Sequence, residues 1–119
     1  ANIADYMGAN ITSIKEGMGA DERINPYFLS AGGGFGGSCF SKDIKALLKA
    51  EKRIHYSFPI LNAIERVNER QKHVLFYKVF RYFNEYLYDK TIAVWGLAFK
   101  PNSSDMRDAV SITLLQELW

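Results

Sequence analysis

The stretch Gly34-Phe35-Gly36-Gly37-Ser38-Cys39-Phe40-Ser41-Lys42-Asp43-Ile44-Lys45-Ala46-Leu47-Leu48-Lys49-Ala50 joins two kinds of chain. Before it, residues 21 to 38 hold Pro26 and five of the chain's nine glycines, Gly32, Gly33, Gly34, Gly36 and Gly37, with no apolar periodicity. That composition predicts loop. From about Cys39 or Ser41 onward the residues are mostly good helix formers, with Ile44, Leu47 and Leu48 at inward spacing, which predicts a helix.

Working outward, Asn2 to Met7 has the character of a helix end closed at Gly8. Asn10 can cap a second short helix with Ile11, Ile14 and Met18 on one side. Towards the C-terminus, Ser57-Phe58-Pro59 marks a helix start, since proline is tolerated in the first turn. The stripe Ile60, Ile64, Val67, Val74, Leu75 predicts that this helix is long. Seven aromatics fall between Phe76 and Tyr88 and point in too many directions for one buried face. Neighbouring helices and a second subunit are expected to share their cover. Thr91 to Gly96 (Thr-Ile-Ala-Val-Trp-Gly) reads as the one strand, and residues 108 to 119 as a helix with Val110, Leu114 and Leu118 on one side. The expected fold is therefore mainly α: a helical domain over residues 1–88, then one β-α unit over 89–119. A lone strand cannot pair its own backbone groups, so its sheet partners are expected in sequence beyond this chain, a piece of a larger protein.

Composition narrows the function classes. The 119 residues are 48% hydrophobic and 24% charged, as in a globular domain and unlike disordered, collagenous or coiled-coil sequence. No stretch approaches the roughly 20 apolar residues of a membrane crossing. A single cysteine, Cys39, cannot form an intramolecular disulfide, and a cytoplasmic setting is expected. Fifteen Lys and Arg against thirteen Asp and Glu give +2 with no basic block, so nucleic acid is not an expected partner. His55 and His73 lack neighbours at metal-ligand spacing, and no metal is expected. The glycine run follows a loop rather than a strand and is no dinucleotide fingerprint.

Chemistry concentrates at Cys39. A helix beginning there places Lys42 and Asp43 on the face of the sulfur, three and four residues on. Free amides at the helix start, together with Lys42, stabilise a thiolate. Asp43 can orient or deprotonate a water, and the glycines admit a ligand close to the backbone. The competing reading is a non-catalytic helical dimerisation module whose cysteine is merely buried.

Three segments carry a resemblance. The first is Arg23-Ile24 with Phe28-Leu29 leading into Gly36-Gly37-Ser38-Cys39-Phe40-Ser41-Lys42-Asp43. The others are Val67-Asn68-Glu69-Arg70-Gln71-Lys72, and Gly96-Leu97-Ala98-Phe99-Lys100 with Asp105 and Arg107. Together they resemble the UDP-glucose/GDP-mannose dehydrogenase family of nucleotide-sugar dehydrogenases over nearly the whole chain. The resemblance implies an N-terminal NAD-binding Rossmann domain outside this chain. It also implies a central helical dimerising domain of the 6-phosphogluconate dehydrogenase C-terminal type, and a C-terminal α/β domain for UDP that begins at residue 89.

The activity implied is oxidation of a sugar's primary alcohol by two NAD molecules through a thiohemiacetal and a thioester on Cys39, with Asp43 activating water. Cys39, Lys42 and Arg107 are implied contacts of NAD. The implied substrate contacts are Phe28, Ser30, Gly32, Gly34, Phe35 and Gly36 of the cradle, Phe99 and Lys100 from the last domain, and Arg23 reaching the site of a neighbouring subunit. Ser41 stands where many relatives have proline. Phe40 after the cysteine favours UDP-glucose over GDP-mannose as substrate, and Ser38 disfavours the acetamido-sugar branch. With the Rossmann domain missing, the isolated chain is expected to be inactive.

Overall fold

A computed structural model describes residues 1–119 as two compact units, Ala1–Gly32 and Gly33–Trp119. In the first, α1 (Asn2–Tyr6) stops at Met7 and Gly8, after which the Ala9 N–H bonds back to the Ala4 carbonyl at 2.7 Å. Asn10 then caps α2 (Ile11–Gly19) as expected, its Oδ1 accepting from the N–H groups of Thr12 at 2.8 Å and Ser13 at 3.2 Å. A 3-10 turn over Pro26–Phe28 follows, capped by Asn25, and it packs on α2 where Gly19 meets Pro26.

The second unit contains the other four helices. The helix expected from Cys39 runs from Phe40 to Ile54 (α3), with Cys39 as its N-cap residue. It stops at His55, whose left-handed backbone (φ 53°) turns the chain. The next helix, α4 (Pro59–Lys72), has proline at its first position. Its end is held by the Glu51 carboxylate rather than by the Ser57 hydroxyl: Glu51 Oε1 accepts from the Phe58 N–H at 2.9 Å and from Asn62 Nδ2. These bonds hold the Glu51 carboxyl below the ordinary carboxylate range, the Phe58 N–H being the leading cause.

The single long helix predicted from Pro59 onward is two. Residue His73 interrupts the ladder, and α5 (Val74–Tyr82) continues from it until Asn84 and Glu85, both at positive φ, end it well short of Tyr88. At that break His73 Nδ1 meets Glu117 Oε1 at 2.5 Å, a tertiary partner on α6 (Val110–Leu118) that local sequence does not announce. Helix α6 packs against both α4 and α5. Ile44, Ala109 and Leu114 form the buried apolar core of the unit.

The expected strand over residues 91–96 is the main correction. No residue of the chain forms a strand. Ile92 and Val94 are half-buried while Thr91, Ala93 and Trp95 are exposed, so the period-two pattern that suggested a strand is present. What is missing is a second segment to pair with, and a strand exists only as part of a ladder. The expected terminal helix is present from Val110. No helix is long and apolar enough to cross a membrane.

Candidate active site around Cys39

Cys39 is exposed where the glycine loop becomes α3, with the Ser38 Oγ 3.8 Å from its sulfur. The loop reaches this point under close restraint. Asn68, on α4, binds both sides of Phe35: its Oδ1 accepts from the Phe35 N–H at 2.8 Å and its Nδ2 donates to the Phe35 carbonyl at 3.0 Å. Two residues further, the Gly37 N–H donates to the carbonyl of Arg107 at 2.8 Å.

The glycines are required here by contact as well as by conformation. A Cβ on Gly36 would lie 2.1 Å from the Asp108 carbonyl oxygen, and Gly37 has φ +86° with the Phe99 ring 2.7 Å from where its Cβ would stand. The segment before α6 is thus laid directly on the segment before α3.

Arg107 is exposed and gripped by Asp105, with Nε to Oδ1 at 3.0 Å, Nη2 to Oδ2 at 2.8 Å, and its own N–H to Oδ1 at 2.9 Å. The guanidinium and then the N–H of Arg107, with a smaller share from the Ser38 hydroxyl, lower the Asp105 carboxyl to about 2. Arg107 is raised mainly by Asp105 and also by the charge of Cys39, so the guanidinium lies within electrostatic reach of the sulfur. Sequence reasoning predicted Lys42 as the cation beside the thiol. Arg107, sixty-eight positions away in sequence, is a second cation near the junction.

A cleft of about 530 Å³ opens beside the first turns of α3, lined by Ser38, Lys42, Lys45, Lys49, Arg107 and Asp108 among others. Lys42, Lys45 and Lys49 line it together with Arg107, whose charge is paired with Asp105, an arrangement suited to an anionic ligand. Asp43 is exposed on the first turn of α3, its N–H bonded to the Cys39 carbonyl at 2.9 Å. Phe35 packs edge-on against Phe40 with centroids 4.7 Å apart. Lys100 Nζ sits 5.3 Å over the Phe99 ring. Gly34 lies against Asn68.

The remaining residues singled out by sequence belong to the first unit. Arg23 is exposed and paired with Asp21, whose carboxyl it lowers to about 2. Phe28 is exposed on the 3-10 turn, Ser30 accepts from Lys15 Nζ at 3.1 Å, and Gly32 ends the unit.

One cluster was not assigned a role from sequence. Asp108 accepts from Ser41 Oγ at 2.6 Å with one oxygen and from Lys72 Nζ at 2.7 Å with the other, and Lys72 also reaches Glu69 at 2.9 Å. Burial works to raise the Asp108 carboxyl and to lower the Lys72 ammonium. The hydrogen bonds between them, and from Ser41 and to Glu69, outweigh it in both cases, so Asp108 ends below and Lys72 above its ordinary value. The sequence signal was the pair Asn68 and Lys72, polar residues four apart on an amphipathic helix.

Similarity to known proteins follows the same segments. The profile of the UDP-glucose/GDP-mannose dehydrogenase family, central domain, matches residues 1–70. UDP-glucose 6-dehydrogenase of Pseudomonas aeruginosa is 42% identical over 118 residues, covering 99% of this chain and 26% of that protein. UDP-glucose 6-dehydrogenase YwqF of Bacillus subtilis is 42% identical over 99% of this chain and 27% of its own length. The chain therefore spans about a quarter of the length of these relatives. Among solved structures, a UDP-glucose dehydrogenase from the hyperthermophilic archaeon Pyrobaculum islandicum superposes with a TM-score of 0.85 at 32% identity, over 95% of this chain and 26% of that one. A GDP-mannose dehydrogenase from Pseudomonas aeruginosa superposes with a TM-score of 0.65 at 27% identity, over 98% of this chain and 26% of that one. By its matched central domain, by relatives that align along 99% of it, and by its fold, the chain belongs to the UDP-glucose/GDP-mannose dehydrogenase family.

Proposed function

We propose that this chain is the thiol-bearing part of a longer, cytoplasmic, homodimeric NAD-dependent nucleotide-sugar 6-dehydrogenase that converts UDP-glucose to UDP-glucuronate. In this reading residues 1–88 are the dimerising helical domain and 89–119 open the UDP-binding domain. The observation that carries it is the exposed Cys39 sulfur at the start of α3, beside an Arg107 fixed by Asp105. The 42% identity to UDP-glucose 6-dehydrogenases favours that substrate over GDP-mannose.

NAD would be held mainly by a Rossmann domain outside this chain, with Lys42, Arg107 and the backbone at Cys39 adding contacts from the edge of the cleft. When bound it accepts hydride from the sugar's C6. Once C6 is an aldehyde, the Cys39 sulfur adds to its carbon and the proton passes to the carbonyl oxygen, giving a thiohemiacetal. Loss of a second hydride leaves a thioester. Water oriented by Asp43 attacks the acyl carbon, the C–S bond breaks, and the thiol returns with the carboxylate released. The sum is one alcohol, two NAD and one water in, and one carboxylate, two NADH and three protons out.

By the family resemblance, the contacts to the sugar nucleotide proposed in the first unit are Phe28, Ser30 and Gly32, and those proposed in the second are Gly34, Phe35 and Gly36. Phe99 and Lys100 would meet it from the second domain, and Arg23 from the other subunit. The full-length protein is expected to form two NADH per UDP-glucuronate. Its Cys39→Ser variant should complete no second oxidation, and the 119-residue chain alone should have no turnover. Normal uronate production by Cys39→Ser would remove Cys39 from the mechanism, and preference for GDP-mannose would reassign the substrate.

A further inference from the structure

Helix α4 is unusual in what it buries. Its apolar Ile60 is 74% exposed and Val67 49%, whereas its two buried residues are Asn68, 7% exposed, and Lys72, 4% exposed. Burying an amide and an ammonium costs free energy that apolar residues would not incur, and a buried ion pair can often be replaced by hydrocarbon without loss of stability. What such groups supply is direction.

Here their bonds run to the two segments that flank Cys39. Asn68 closes both peptide bonds of Phe35, four residues before the cysteine. Lys72 holds Asp108, which holds the Ser41 hydroxyl two residues after the cysteine. Asp108 carries its neighbours with it. Its carbonyl abuts Gly36, and the preceding carbonyl, of Arg107, accepts from Gly37. Asp108 also sits at φ +54°, in the left-handed region that aspartate tolerates better than most residues.

We propose that Asn68 and Lys72, one turn apart on α4, are positioning residues for the reaction at Cys39. Asn68 sets the glycine loop and Lys72, through Asp108, sets the Arg107 segment against the first turn of α3. This rests on the dehydrogenase reading above.

The test uses the full-length protein and four variants: Lys72→Met, Lys72→Arg, Asn68→Ala, and the double variant Lys72→Met/Asp108→Asn, which removes both charges together and keeps at 108 a residue that tolerates the left-handed backbone. Three quantities are read: thermal unfolding, kcat and KM for UDP-glucose oxidation, and the rate of Cys39 alkylation by iodoacetamide without substrate. The double variant is expected to unfold near the wild-type temperature while kcat falls about 100-fold with KM nearly unchanged, as for a reacting group misplaced by about 1 Å. Asn68→Ala should lower kcat in the same way, and alkylation should change about three-fold or more in both. Lys72→Arg, which keeps the positive charge on a larger, planar head group, should retain at least about ten-fold more kcat than Lys72→Met.

Wild-type kcat and alkylation in a folded double variant would overturn the proposal, as would Lys72→Arg being no better than Lys72→Met. If the wild-type protein oxidises no nucleotide sugar, the functional reading fails on its own, and the alkylation rates still decide whether α4 positions Cys39.

Discussion

The glycine loop with its clasp on α4 and the segment from Phe83 to Trp95 are both outside regular structure, yet they differ in every other respect. In the loop, Phe35 and Gly37 each find a fixed partner within the chain, as does Ser41 just beyond it on α3, and Gly36 and Gly37 admit neighbours closer than any side chain allows. In the second segment Tyr86 and Tyr88 are exposed, Trp95 is 97% exposed, and the apolar alternation of residues 91–95 meets no ladder. The first region is held by bonds to residues distant in sequence; the second carries local turn bonds, from the Tyr86 N–H to the Phe83 carbonyl and from the Lys90 N–H to the Leu87 carbonyl, both at 3.1 Å. Irregular backbone is thus informative only when its hydrogen bonds are traced.

Substitutions in the 119-residue chain can break or sharpen that contrast, with chemical denaturation as the readout. The largest effect is expected at Gly36→Val, whose side chain collides with the Asp108 carbonyl and should cost about 3 kcal/mol. Lys72→Met follows, since it strands the partly buried Asp108 carboxylate, and a loss of about 2 kcal/mol is expected. Asn68→Ala, which leaves the Phe35 N–H and carbonyl without their partner, should cost slightly less, about 1.5 kcal/mol.

A dependence on pH should accompany these. The lowered Asp108 carboxyl contributes stability that is fully present above the ordinary aspartate value of about 3.9 and lost as pH falls through its folded value. The raised Lys72 contributes stability fully present below about 10.4 and lost as pH rises through its folded value. Unfolding of Asp108→Asn should therefore lose part of the acid limb seen in wild type. The smallest effect is expected for Trp95→Ser, under about 0.5 kcal/mol, because nothing in the chain packs on that ring. A loss above 1 kcal/mol there would show that the second region is specified after all.

Much of the architecture was legible in sequence because it is local. The Asn10 cap, the proline opening α4 and the helix-forming run from Lys42 act within a few residues, and the helices formed where those signals stood, although of the three residues at inward spacing Ile44 is buried and Leu47 is 49% exposed. The break at His73 was not legible, for no proline or glycine marks it and its partner, Glu117, lies on another helix. Nor was the strand's fate, since residues 91–96 carry the right alternation and only a neighbouring strand could use it.

At the candidate site, Cys39 could be placed at the coil-to-helix junction from glycine content and helix propensity alone. The groups that fix that junction could not. Asn68 is 33 residues from Phe35, and Asp108 is 67 from Ser41 and 36 from Lys72, distances over which pattern carries no information about contact.

The account stands on sulfur chemistry at Cys39, and the most direct test is to look for the acyl group itself. Full-length protein turning over UDP-glucose with NAD, quenched in acid and digested, should yield the Cys39 peptide carrying a glucuronyl thioester by mass spectrometry. An unmodified Cys39 peptide in samples taken while UDP-glucuronate accumulates, across the time course from the first turnover, would contradict it.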